Sequence, residues 1–118
     1  KKNLSLAYTK LGAQAESNGN SNQAIENYKK GAETNNYDAA YLSLAKLYTD
    51  LGNWDAAITA AENALKYRSS VGKGGPYYYM GLAYKGKGDN TKAKDMFSQA
   101  KSDATYRKTA EYELSLLQ

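Results

Sequence analysis

Apolar positions recur along this chain with the period of a helix and not with that of a strand. Tyr8, Leu11, Gly12 and Ala15 are spaced i, i+3, i+4, i+7, as are Tyr41, Leu44, Ala45 and Tyr48, and again Tyr77, Met80, Gly81 and Tyr84. Residues so spaced share one face of an α-helix. A second stripe follows each of them: Ala24, Tyr28 and Gly31, then Ala57, Ala61 and Ala64, then Ala93, Phe97 and Ala100. Between the stripes stand Gly19-Asn20, Gly52-Asn53 and Gly88-Asp89, with an alanine five residues after each glycine. The glycines are 33 and then 36 residues apart. The pattern predicts an all-α chain in which one helix–turn–helix unit is used three times. Each marker glycine suits the left-handed position that ends a helix, and Asn20 or Ser21, Asn53 and Asp89 offer oxygens to cap the next one. The small residues Gly12, Ala45 and Gly81 are expected to face Ala24, Ala57 and Ala93, so that paired backbones approach closely.

Asn35-Asn36 reads as the first link between units, and the stretch from Ser69 to Gly75 as the second, with Pro76 in the first turn of the following helix. The glycines of that second link lack the order of a phosphate-binding loop, and no strand pattern precedes them. After Thr105, the residues Tyr106, Ala110, Glu113 and Leu117 fall on one stripe with Leu114 beside it, which predicts a seventh, capping helix. The expected organisation is a single domain over 1–118, with units at about 5–37, 38–71 and 74–107 and the cap at about 105–118. Lys1 to Ser5 has no such cover, and this end is expected to carry further units if the chain is part of a longer one.

Composition narrows the chemistry. The 118 residues contain no histidine and no cysteine, which excludes disulfides, Cys or His zinc sites, cysteine nucleophiles and serine–histidine triads. No metal, cofactor or catalytic residue is expected. The acidic pairs Asp50/Asp55 and Glu111/Glu113 fall on different faces or flank a turn, so neither suggests a paired-carboxylate mechanism. Mean hydropathy is −0.77, and no apolar run approaches the roughly 18–20 residues that span a bilayer. The chain reads as soluble, without membrane insertion. Its compartment stays open between the cytoplasm and a bacterial periplasm or cell envelope. It begins with Lys, not Met, as expected of a processed or trimmed chain. Charge is uneven: residues 1–65 carry a net of −1, whereas 66–108 carry ten cations against three carboxylates. A basic half attracts acidic partners or nucleic acid, or simply keeps a surface solvated. Asn3-Leu4-Ser5 matches the short glycosylation acceptor pattern.

The aromatic-led first stripe, the small residue four positions on, the A-x₃-aromatic of the second stripe and the period near 34 resemble the tetratricopeptide repeat. The resemblance covers residues 5–107. Tyr8, Tyr41 and Tyr77 stand where that family has tryptophan, the closing proline is missing, and the second-helix aromatic is Tyr28, Ala61 and then Phe97. These departures suggest looser angles between units, at the second junction above all. The resemblance implies a right-handed superhelix whose first helices line a concave groove. The lining it implies is Thr9, Ala13 and Glu16, then Leu42, Lys46 and Thr49, then Tyr78, Leu82 and Lys85, flanked by Leu6, Ser43 and Tyr79. Tyr78 is the expected aromatic anchor and Lys46 and Lys85 the expected cations, an arrangement suited to a peptide or protein segment that carries acidic groups. Members that clamp a C-terminal carboxylate do so with Lys and Asn. At the matching places this chain has Thr9, Ala13, Ser43, Gly75 and Tyr79, so that mechanism is not expected. Trp54 is expected to pack at its turn. The resemblance therefore points to a non-enzymatic interaction or scaffold module. The alternative is a basic helical solenoid binding single-stranded nucleic acid, which is disfavoured because the aromatics mostly occupy core stripes.

Overall fold

The structure is a computed structural model and describes residues 2–118. Seven helices follow one another: α1 (Lys2–Ser17), α2 (Ser21–Asn35), α3 (Asp38–Asp50), α4 (Trp54–Lys66), α5 (Gly74–Gly86), α6 (Asn90–Ala100) and α7 (Arg107–Leu116). No strand occurs among the described residues. The helices pair as α1/α2, α3/α4 and α5/α6, and each pair packs on the next through α2/α3 and α4/α5. The stack measures 43 × 27 × 20 Å.

The turn residues act as their chemistry dictates. Gly19, Gly52 and Gly88 have φ of 78°, 76° and 85°, a left-handed conformation that costs a side-chain-bearing residue strain. Asn20 accepts a hydrogen bond from the Gln23 N–H and Asp89 one from the Lys92 N–H. Asn53 makes no side-chain cap, so the expected third cap is missing and α4 starts without it. Asn36 supplies a fourth left-handed position, at φ 46°, where α2 ends.

Close approach within the pairs has a different partner from the one expected. A Cβ on Gly12 would lie 2.6 Å from Tyr28 Cδ1, and one on Gly81 would lie 2.5 Å from Phe97 Cε1. The rings of the second helices, rather than Ala24 and Ala93, fill the space these glycines leave. The middle unit has Ala45 and Ala61 at the corresponding positions, both fully buried. One side grows by a methyl where the other loses a ring, so volume is partly conserved.

The second link is shorter than expected. Gly74, Gly75 and Pro76 are already helical and buried in α5. A side chain at Gly74 would overlap Asp103, whose Oδ2 accepts the Gly74 N–H at 3.1 Å and so caps α5 from the far end of its own unit. The middle unit is closed in the reverse sense. Asp38, at the start of α3, is fully buried. Its Oδ2 accepts N–H bonds from Ser69, Ser70 and Val71 at 2.7, 2.7 and 2.9 Å, and its Oδ1 accepts the Ser70 hydroxyl at 2.8 Å. Desolvation alone would raise its pKa. The bonds from Ser69, Val71 and Ser70 outweigh it and hold the carboxyl well below the usual carboxylate range. At the same register the first unit has Ser5, buried with its hydroxyl unpartnered. That unit has no acidic closure of either kind.

Two apolar clusters result. The larger runs through α1–α5 and includes Tyr28, Leu44, Leu47, Ile58 and Met80; the smaller joins Ala93, Phe97 and Ala100 to Ala110 of α7. Leu114 and Leu117 also pack on the second cluster, so α7 covers the end of the stack as a cap should. At the other end Leu4 and Leu11 are half exposed, at 50% and 48%. Leu11 lies on the expected core stripe yet is half exposed. Trp54 packs on the larger cluster, its ring against the backbone of Gly86 in the next unit.

Candidate partner-binding groove

The face expected to be concave is formed by α1, α3 and α5, of which α3 and α5 pack on one another. Of the expected lining, Ala13 and Lys46 are exposed on it, Leu6 is exposed beside it, and Leu42, Ser43, Tyr79 and Leu82 are half-buried along it. Leu42 is pressed against Gly75, where a Cβ would come within 3.1 Å of Leu42 Cδ1 and 3.2 Å of the Tyr106 hydroxyl. This missing side chain lets α3, α5 and the residue leading into α7 meet at one point.

Three expected lining residues are diverted. Thr49 is buried and donates its hydroxyl to the Ala45 carbonyl at 2.7 Å, so it faces the helix backbone rather than a ligand. Thr9 likewise donates to the Ser5 carbonyl at 2.7 Å and lies against Gly31 of α2. Lys85 is bound to Glu113 of α7 at 2.8 Å and is not free to serve as a cation for a partner. Lys46 has no ion pair among the described residues.

Tyr78, the expected anchor, does not stand free either. Its ring lies 5.3 Å from that of Tyr79, 5.5 Å from Tyr106 and 5.8 Å from Phe97, distances typical of favourable aromatic pairs. With Tyr79 and Tyr106 6.5 Å apart, the three tyrosines form one cluster. Tyr78 and Leu82 lean from it onto the C-terminal core, while Tyr79 leans onto the larger one. Burial pushes the Tyr79 phenol up to about 12, helped by Tyr106, Tyr78, Asp50 and Glu16. Burial raises Tyr78 and Tyr106 as well, with Glu113 and Tyr106 acting on the former and Asp103 on the latter. All three are therefore neutral donors at physiological pH.

Of the carboxylates around these rings, Glu16 belongs to the expected lining, whereas Asp50, Asp103 and Glu113 were not expected there. Glu16 accepts a hydrogen bond from the Tyr28 hydroxyl at 2.7 Å, and Asp50, Glu113 and Asp103 each stand near a cluster phenol. Tyr106 and Glu113 were visible as one stripe of the seventh helix. Their arrival on the groove depends on the angle at which α7 docks, which no local pattern encodes. The groove is thus an aromatic floor with mixed charges, and Lys46 is its free cation among the described residues.

Models of the tetratricopeptide repeat match residues 38–70 and 77–104, together just over half of the chain. Among solved structures, the N-terminal domain of stress-induced protein-1 (STI-1) from C. elegans superposes with a TM-score of 0.86 at 17% identity. The match covers 98% of this chain and 95% of that one. At this identity the likeness shows a shared fold. No curated protein gives a significant sequence match. No described helix is long and apolar enough to cross a membrane.

Proposed function

The chain belongs to the tetratricopeptide repeat family, and from that premise we propose that it is a non-enzymatic interaction module that holds a peptide segment of a partner protein on its concave face. The cluster of Tyr78, Tyr79 and Tyr106 beside Leu42 carries this reading. It is rigid, partly exposed and rich in hydrogen-bond donors, as hot-spot surfaces are. A bound segment would place an apolar or aromatic side chain on Tyr79 and Leu42. An acidic group, if it has one, would lie at Lys46, because Glu113 already neutralises Lys85. The tyrosine rings pack on one another and on the core, which leaves no row of free ring faces for stacked bases and supports a protein partner over single-stranded nucleic acid.

The test is a displayed peptide library panned against the wild-type chain and against Leu42→Asp combined with Tyr79→Ser, both shown folded by circular dichroism. Peptides enriched on the wild type should lose at least tenfold in affinity on the variant, the loss of about 1.4 kcal/mol expected when one anchor is removed. Equal binding to both would exclude the groove.

A further inference from the structure

On the convex side, α2 and α4 stand apart over α3 and leave a cleft of about 380 Å³. Its floor is Tyr41, Leu44 and Tyr48, one turn-spaced stripe of α3, and its walls carry Ala32 from α2 and Ala56 and Ala60 from α4. Counting from the marker glycines, the next junction has the same floor in Tyr77, Met80 and Tyr84, and Leu65, Lys92 and Met96 in place of the three alanines. There Leu65 and Met96 pack on the core, and the Lys92 ammonium lies 5.4 Å from the centre of the Tyr84 ring, within cation–π range. The protein thus fills the second copy of this site with its own apolar groups and its own lysine, and leaves the first copy open.

The open copy keeps the features that suit such an occupant. Tyr48 corresponds to Tyr84, and neither it nor Tyr41 has a hydrogen-bond partner for its hydroxyl among the described residues. Asp55 lines the cleft one residue before Ala56, the position that corresponds to Lys92. Its side chain is 84% exposed, and one of its oxygens accepts from Lys87 at 2.6 Å, while the other has no partner among the described residues. Glu33 lies on the rim near Tyr41, whose phenol is raised by burial and then by Glu33 and Tyr67. Lys29, also on the rim, and Lys87, paired with Asp55, balance the two carboxylates.

We propose that this convex cleft is a second binding site, distinct from the groove. Its occupant is a lysine and a neighbouring apolar side chain of a partner protein, the apolar group on Leu44 between the alanines and the ammonium over Tyr48 beside Asp55. The filled junction supports this occupant, since its Leu65, Met96 and Lys92 take up there the space that Ala32, Ala60 and Ala56 leave open here.

The test uses the ¹⁵N-labelled chain and N-acetyl-leucyl-lysine methylamide, with the same dipeptide acetylated on the lysine as the neutral control. At millimolar concentration the first probe should shift amide resonances in 29–33, 41–48 and 55–63, and the control should bind about fivefold more weakly. Ala32→Leu, Ala56→Lys and Ala60→Met together copy the filled junction and should abolish the shifts. If that variant does not fold, Tyr48→Leu serves instead and should erase the difference between the two probes. Tyr79→Ala in the groove should change nothing. The proposal fails if the cleft resonances do not move, if both probes bind equally to the wild type, or if the filled variant still responds.

Discussion

At the junction between the first and second repeats three alanines stand where the junction between the second and third has leucine, lysine and methionine. The same register places Ser21 and Asp50 at the first junction and Trp54 and Gly86 at the second. Trp54 lies against the bare backbone of Gly86, so the second junction is joined by a knob and a hole that the first lacks. The departures from the repeat pattern suggested the looser joint at the second junction, which also has the longer link, and the structure shows the fuller one. Loop length constrains only how far two helices can separate. How closely they pack is set by the side chains between them.

This contrast can be broken by mutation, and the largest effect is expected at its centre. Trp54→Ala should destabilise the chain by about 3 kcal/mol, because a packed indole is removed and Gly86 cannot fill the space. Ser21→Ala, at the same register of the first junction, should stay within about 0.5 kcal/mol. Urea denaturation of both variants at pH 7 measures the difference. Near-equal losses would mean that the two junctions are energetically alike.

Asp38→Asn comes next, at about 2 kcal/mol, since a buried anion that accepts several hydrogen bonds is replaced by an amide that presents donors to some of them. The pH dependence has a definite sign. The folded pKa of Asp38 lies below its unfolded value, so its stabilisation is fully present above about pH 4 to 5 and is lost as the pH falls below the unfolded value of about 3.9. Thermal melts from pH 7 down to pH 2 should show the wild-type advantage over Asp38→Asn shrinking in that range. A constant gap would remove the carboxylate from the account.

Leu65→Ala should cost about 1.5 kcal/mol by opening at the second junction the cleft that the first already has, a smaller loss than for a fully buried leucine because Leu65 is partly exposed. The reciprocal Ala32→Leu fills existing space and should stay within about 1 kcal/mol of the wild type. A loss of 2 kcal/mol or more for Ala32→Leu would show that the first junction closes in solution. The smallest effects concern the two groove lysines. Lys85→Glu should cost about 1 kcal/mol through repulsion of Glu113 across a partly exposed pair. Lys46→Glu should leave the melting temperature nearly unchanged, and both read out in the same thermal scan.

Much of the fold was legible locally. Helix periodicity placed the helix pairs, and the glycines at 19, 52 and 88 ended the right helices because a positive φ is a property of the residue itself. The small residues Gly12 and Gly81 announced close approach, but their true partners, Tyr28 and Phe97, lie one turn beyond the alanines chosen from spacing alone. The groove was legible as a set of faces and not as a charge pattern. Lys46 and Lys85 look alike in sequence, yet only Lys85 meets Glu113, and Tyr78 looks like a free anchor until Tyr106 is folded onto it.

What the sequence determined by itself is what depends on neighbours within about one helical turn: helical periodicity, the stops and two of the caps, the number of units and the absence of thiol and imidazole chemistry. The tertiary structure decided which small residues face rings, which lysine is neutralised, which acids close the second and third units and which of two equivalent clefts stays open. Those outcomes depend on the angles and separations between helices, set by volumes summed over side chains that lie tens of residues apart.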